Sequence, residues 1–236
     1  MSYSDRHLFF DLDRTLWDFD ANSEFALRTI LEQEKLLEVC QGFEHVHKVY
    51  RNKNAALWKK YGQGKLAKEA LRYERFRATF KVYGVHDEDQ IKRIGDAYVE
   101  ISPKQTQLFP NAIQVLTDLK TMGFTLHIIT NGFTEVQYEK LNNCLLSPFF
   151  DIVVCSEHIG YNKPHQKIFK HALDLAGAKA ENSLMVGDDY HADIAGALRA
   201  GMQAIWFEPN LRNTLKFEHR IYDLNEVPQK AAMLLR

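Results

Sequence analysis

Apolar and polar positions along the chain fall into two regimes. His7-Leu8-Phe9-Phe10-Asp11-Leu12-Asp13 is a short apolar run ending in carboxylates, the pattern of a buried strand whose far end meets solvent. From Asn22 to Ser102 the period becomes helical and no strand pattern is convincing. Phe25, Leu27, Ile30 and Leu31 predict a first amphipathic helix, with Asn22 or Ser23 as N-cap and Glu24 in the first turn. Val46, Tyr50, Leu57 and Tyr61 predict a second, punctuated by Gly62 and Gly64. A third runs from Ala67 to Tyr83 and stops at Gly84. Asp87 with Gln90 three residues on resembles a capping box opening a fourth, which carries Ile91, Ile94, Tyr98 and Ile101 and has Pro103 just beyond its end.

Strands and helices then alternate. Phe124–Ile129, Asp151–Cys155, Leu184–Val186 and Gln203–Phe207 read as strands, with helices around Ala112–Thr121, Gln166–Ala176 and Asp193–Ala200. Alternation of this kind implies βαβ units and a parallel sheet covered on both faces. The expected fold class is therefore α/β, a parallel-sheet core interrupted after its first strand by an all-helical insert of about 80 residues, a size within the range of a small domain. The core is assigned to residues 1–16 and 109–236 and the insert to 17–108, with Trp17–Asp20 as a hinge.

Composition narrows the function classes. With 236 residues, 45% hydrophobic and 26% charged, the proportions are those of a globular protein. Thirty basic against 31 acidic residues leave a net charge of −1, so global charge gives no case for a nucleic-acid polymer. No apolar run approaches the ~18 residues of a membrane helix, and the N-terminus has no charged-then-apolar signal pattern. Cys40, Cys144 and Cys155 are odd in number and widely spaced, which argues against a disulfide framework and fits a reduced, cytoplasmic compartment.

Four segments concentrate polar residues at the C-terminal ends of predicted strands, the edge where open α/β sheets bind ligands. Asp11-Leu12-Asp13-Arg14-Thr15 places two carboxylates two residues apart, so both project to one side of an extended chain. Such a pair repels unless a cation or a shared proton lies between them, although a solvated turn fits the residues equally well. Thr130-Asn131-Gly132 can present O–H and N–H donors to an oxyanion, or form an ordinary turn. Lys163-Pro164 can set a cation beside a phosphate, or be a solvated loop lysine before a Pro at the first helical position. Gly187-Asp188-Asp189-Tyr190-His191-Ala192-Asp193 brings three acids together, suited to a hard cation such as Mg²⁺ or to capping a helix.

Taken in order, DLDRT, Thr130 closing a strand, Lys163-Pro164 and GDDYHAD resemble the four signature motifs of the haloacid dehalogenase superfamily, over nearly the whole chain. That resemblance implies a Rossmann-like core with a helical cap. Ile128–Phe133, Ser156-Glu157, Lys163-Pro164 with Lys167–Phe169, Leu57-Trp58 and Arg75-Phe76 are further similar to the bacterial house-cleaning pyrimidine 5′-nucleotidases of that superfamily.

The resemblance implies two-step phosphoryl transfer. Asp11 is the expected nucleophile and Asp13 the expected general acid and base. Mg²⁺ is the expected cofactor, held by Asp11, the backbone carbonyl of Asp13 and Asp188. Thr130, Asn131 and Lys163 are expected to bind the phosphoryl group, with Thr15 and Asp193 in support, Asp193 either beside the metal or orienting Lys163. Asp189 is expected to cap a helix. In the cap, Asn54 and Trp58 share a helix face and are substrate candidates with Arg75; the ordinary alternative places Trp58 in the cap core and Arg75 in a surface ion pair.

The expected enzyme is a Mg²⁺-dependent 5′-nucleotidase acting on a small phosphorylated metabolite, as a monomer or weak homodimer. Alternatives are a phosphoglycolate or sugar-phosphate phosphatase, a β-phosphoglucomutase-like phosphomutase, and a 2-haloacid dehalogenase. The last is disfavoured by Asp13, since expelling halide needs no proton. A binding module without catalysis is disfavoured by the complete set of motifs.

Overall fold

The computed structural model describes residues 5–210 and 214–235. Along the chain it forms β1 (His7–Phe10), α1 (Phe19–Gln33), α2 (Phe43–Gly62), α3 (Lys68–Phe80), α4 (Glu88–Ile101), α5 (Ala112–Thr121), β2 (Thr125–Thr130), α6 (Thr134–Asn143), β3 (Ile152–Cys155), α7 (Ser156–Ile159), α8 (Gln166–Ala176), β4 (Ser183–Gly187), α9 (Ala195–Arg199), β5 (Gln203–Phe207), β6 (Arg220–Ile221) and α10 (Val227–Leu234). These elements gather into two compact units, Met1–Phe19 with Thr106–Arg236, and Asp20–Gln105.

The first unit is built on a parallel sheet of six strands among the described residues, in the order β3-β2-β1-β4-β5-β6. All four residues of β1 are buried, because the strand is central and covered on both faces. Leu8 and Phe10 pack with α5 and α10 residues on one face, and Phe9 with Ile168, Phe169 and Ala197 on the other. Phe10 lies in register with Ile128 on one side and Val186 on the other, so the ends of β1, β2 and β4 meet at one edge. The chain reverses its direction of growth across the sheet at β1, the arrangement that opens a ligand crevice in doubly wound folds.

The break between units falls three residues deeper into the insert than the sequence places it on each side. Trp17 is fully buried in the first unit, bridges to Leu108, and lies beside the Leu16 carbonyl that accepts from the Phe109 N–H at 2.9 Å. A large ring in the core thus keeps Trp17–Phe19 with the sheet.

The second unit packs α1–α4 around a core in which Tyr50 stacks on Phe76 at 5.5 Å and Phe76 meets Tyr98 at 5.4 Å. Here the structure departs from the pattern in three places. α1 begins at Phe19, so Asn22 and Ser23 are buried helix-interior residues rather than N-caps; the Ser23 hydroxyl lies 2.8 Å from Tyr98 Oη. Phe25, expected on the buried face, is 58% exposed. Asp87 does cap α4, accepting from the Asp89 and Gln90 N–H groups, but the Gln90 amide donates to Glu34 instead of closing the box.

Candidate active site

The site is assembled where β1, β2 and β4 end. The Asp11 N–H donates to the Val186 carbonyl at 2.9 Å, carrying the ladder one residue past β1 and turning the carboxylate into the crevice. The chain then folds tightly: the Leu12 carbonyl accepts from Leu16 and Trp17, and Arg14 adopts a left-handed φ of 65°. Thr15 is fully buried beneath this turn, its hydroxyl 3.5 Å from Asp11 Oδ2.

Lys163 is the hub. Its ammonium donates to Asp11 Oδ1 at 2.6 Å and to the Ile129 carbonyl at 2.7 Å, and pairs with Asp193 Oδ1 at 2.7 Å. Two hydrogen bonds and a second carboxylate thus surround the charge, the kind of compensation a buried ammonium requires. The other end of the residue is held by Asn131, whose Oδ1 accepts from the Lys163 N–H at 2.8 Å and whose Nδ2 donates to its carbonyl at 3.1 Å. Burial opposes the charge of Lys163, but Asp11 and Asp193 outweigh it and raise its pKa.

The carboxylates are less comfortable. Burial pushes the Asp11 pKa up to about 7, with Lys163 opposing and Asp193 and Asp13 adding to the rise. Asp188, half-buried, is raised by burial and by the charges of Asp11 and Asp193. Asp193 is raised chiefly by burial, against the pull of Lys163. Ligand atoms of Asp11, Asp188 and Asp193 all lie within 4.8 Å of one another. This donor set is hard and anionic, and Lys163 neutralises only part of it, so the residues fit a divalent cation with oxygen preference.

Asp193 is where the sequence places it, but its Oδ1 is spent on Lys163 and its Oδ2 accepts from the Asp189 N–H at 3.1 Å. Of the two neighbours expected for it, a metal or Lys163, the contact present is with Lys163. Its approach explains Gly187: a Cβ there would lie 2.3 Å from Asp193 Oδ2. Asp189 caps the following π-type turn (Tyr190–Ile194), accepting from His191 and Ala192. Pro164 lies before the N-cap of α8, His165, and not at its first helical position.

Asp13 occupies a second environment. Its Oδ1 pairs with Lys140 Nζ at 2.5 Å and its Oδ2 accepts from Gln137 Nε2 at 3.0 Å. The Thr130 hydroxyl donates to Gln137 Oε1 at 3.3 Å and accepts from the Gly132 N–H at 3.1 Å. Gln137 and Lys140 both come from α6, a helix the hydrophobic pattern does not announce. Its apolar positions are few, and its buried face is Gln137, Lys140 and Leu141. The one sequence signal is their spacing of three, which shares a helix face.

The second-unit candidates separate. Asn54 and Arg75 are buried, 6% and 5% exposed, while Trp58 is half-buried with its ring edge-on to Tyr61. Arg75 is not in a surface ion pair: its guanidinium lies 4.6 Å over the Tyr98 ring, and no carboxylate pairs with it among the described residues. Asn54 Oδ1 is buried without a hydrogen-bond partner among the described residues.

Residues 8–207 match the family model for haloacid dehalogenase-like hydrolases. The chain is 30% identical to the HAD-hydrolase YfnB of Bacillus subtilis, covering 88% of this chain and 86% of that one. A crystal structure of YfnB bound to magnesium superposes with a TM-score of 0.87 at 28% identity, covering 97% of this chain and 99% of that one. The chain is 32% identical to the pyrimidine 5′-nucleotidase PynA of Streptococcus pneumoniae, over 87% of this chain and 84% of PynA. It is 33% identical to the glyceraldehyde 3-phosphate phosphatase of Methanothermobacter thermautotrophicus, over 84% and 83%.

Proposed function

The chain belongs to the haloacid dehalogenase-like hydrolases and is a hydrolytic enzyme; from that premise we propose that it is a magnesium-dependent phosphatase of nucleoside 5′-monophosphates, pyrimidine nucleotides foremost. The observation that carries this reading is the pair of neighbouring carboxylates in different surroundings. Asp11 is buried against Lys163, whereas Asp13 is partly open and held by Lys140 and Gln137. Two carboxylates with two environments suit two roles.

In this reading Asp11 attacks phosphorus and the bond from phosphorus to the leaving oxygen breaks, while Asp13 gives that oxygen its proton. Water then attacks the aspartyl-phosphate, Asp13 takes the water proton, and the phosphorus–Asp11 bond breaks to release phosphate. A covalent intermediate divides one large barrier into two smaller ones. Lys163 and the Asn131 backbone N–H meet the phosphoryl oxygens, with Thr130, whose hydroxyl proton goes to Gln137, lining the same subsite and the Asn131 side chain engaged with Lys163. Asp11, Asp188 and the Asp13 carbonyl would hold Mg²⁺, and Thr15 supports Asp11. A bound divalent cation supplies positive charge that keeps these carboxylates ionised and balances the phosphoryl oxygens.

Residues 17–108 are proposed as the specificity cap. The amide oxygen of Asn54, buried and unpartnered among the described residues, supports its assignment to substrate recognition, since buried polar groups ordinarily find partners; Arg75, which donates to the Arg72 carbonyl and lies over Tyr98 with no carboxylate beside it among the described residues, is assigned with it. Trp58, half-exposed, is assigned with them. Likeness to PynA favours a pyrimidine nucleotide; likeness to the glyceraldehyde 3-phosphate phosphatase favours a small sugar phosphate as the second reading. Three free, buried cysteines support a cytoplasmic setting.

The test is phosphate release, with and without Mg²⁺, from UMP, dUMP, dTMP, purine monophosphates, phosphoglycolate and sugar phosphates, with Asp11→Asn as blank. Mg²⁺-dependent preference for pyrimidine monophosphates is expected. Preference for a sugar phosphate discards the substrate and keeps the chemistry, and no release from any of them discards the phosphatase.

A further inference from the structure

We propose that Lys140 and Gln137 are positioning residues for the leaving-group step, acting together as a clamp that fixes the Asp13 carboxyl and ties it to the phosphoryl-binding Thr130. The proposal rests on Asp13 acting at the leaving oxygen.

Lys140 is 3% exposed, and the carboxylate it pairs with is Asp13. Its ammonium sits 4.0 Å over the Trp17 ring, whose face attracts the charge but supplies no oxygen acceptor. Desolvating an ammonium for one ion pair is a poor way to gain stability, because the desolvation cost rivals the attraction. Such an arrangement does, however, fix geometry. Lys140 holds one Asp13 oxygen and Gln137 the other, so the carboxyl cannot rotate freely about its Cβ–Cγ bond. The far end of the Gln137 amide accepts from Thr130. A single side chain therefore joins the residue proposed for the leaving oxygen to one proposed for the transferring phosphoryl group.

The backbone makes room for this contact. A Cβ on Gly132 would lie 2.1 Å from Gln137 Nε2 and 2.5 Å from its Cδ, so the glycine is needed for the Gln137 side chain to lie where it does. Helix α6 supplies both residues from one face, three positions apart, and its first turn follows directly on the Thr130–Gly132 segment. Strand end, glycine and helix thus form one device.

The experiment compares two substrate types on Lys140→Met, Gln137→Leu and Gly132→Ala, with Asp13→Asn as reference. An alkyl monophosphate needs its leaving oxygen protonated; p-nitrophenyl phosphate expels a stable phenolate and needs this much less. General acid catalysis contributes roughly 10²–10⁴-fold, and misplacing a reacting group by about 1 Å costs on the order of 10²-fold. The three variants are expected to lose roughly 10–100-fold in kcat on the alkyl phosphate with KM little changed, and to lose far less on p-nitrophenyl phosphate. Lys140→Arg should recover most of the loss, since it keeps the charge.

Melting curves of each variant establish that the protein is folded at the assay temperature, and Gly132→Ala reaches the clamp without deleting either of its side chains. Equal losses on both substrates, or no loss on either, would overturn the clamp if Asp13→Asn itself shows the leaving-group split. Absence of the split in Asp13→Asn would instead overturn the role of Asp13 on which the clamp rests.

Discussion

Replacing Lys163 with Met tests the electrostatic logic of the site most severely. Methionine fills a similar volume and removes the charge. The ammonium it replaces is 2% exposed and lies 2.6 Å from Asp11 and 2.7 Å from Asp193. Its loss leaves two buried carboxylates facing each other with no cation and leaves the Ile129 carbonyl without its donor. Removing one partner of a buried pair costs about 3–5 kcal/mol. For a domain of this size that lowers the melting midpoint by roughly 6–20 °C.

The cost must also depend on pH, and the sign follows from linkage. Lys163 lowers the pKa of both Asp11 and Asp193, so its removal lets both rise further above their unfolded values. The folded variant then holds protons that the unfolded chain has released. Stability is therefore fullest below the unfolded carboxylate range, near pH 4, and is lost as pH rises through the folded values. Thermal and urea unfolding at pH 5.5 and 8.5, without divalent cations, should show the larger penalty at pH 8.5. A penalty under about 1 kcal/mol, the range of an exposed ion pair, or one equal at both pH values, would mean that Lys163 does not hold the two buried carboxylates ionised.

Three further outcomes are expected. His127 is buried beside His7, with 3.0 Å between Nε2 and Nδ1, and burial followed by the charge of His7 lowers its pKa to about 4. The unfolded chain binds that proton first, so up to about 3 kcal/mol of stability is present above pH 6.5 and lost as pH falls towards 4. Urea midpoints across that window should fall steeply for the native protein and far less for His127→Gln; identical slopes would remove the histidine from the account. Gly187→Ala drives a methyl into Asp193, and overpacking of this kind costs about 1–3 kcal/mol; calorimetry should show that loss together with weaker phosphate inhibition, and a neutral effect would mean that Asp193 can move. Asn131→Ala cuts both hydrogen bonds to the Lys163 backbone, at about 1–3 kcal/mol, and should raise KM more than it lowers kcat; the reverse split would place Asn131 in the chemical step.

What could be read from the residues divides along physical lines. Strands β1, β2, β4 and β5 are short, largely apolar and almost wholly buried, β3 is half-buried at the sheet edge, and the polar residues that follow the strands lie next to one another because the strand ends do. Asp11, Lys163 and Asp193 were therefore legible as a group, from chemistry repeated at one edge of a sheet. Helix α6 was not, because it turns Gln137 and Lys140 inward, and a polar buried face defeats a search for apolar periodicity. Asn22 and Ser23 look like cap residues in any sequence, yet tertiary packing buries them inside α1, where Ser23 meets Tyr98, distant in sequence. β6, two residues long, is too short for any period to register.

Every step proposed for the site depends on Asp11 carrying the phosphoryl group. Single-turnover reaction with ³²P-labelled UMP, acid quench and borohydride reduction of the trapped acyl phosphate tests it at the residue itself. Transient label on the protein is expected, with the reduced residue, homoserine, found at position 11 and absent from Asp11→Asn. Turnover that releases phosphate with no protein-bound label, or with the label on another residue, would contradict it.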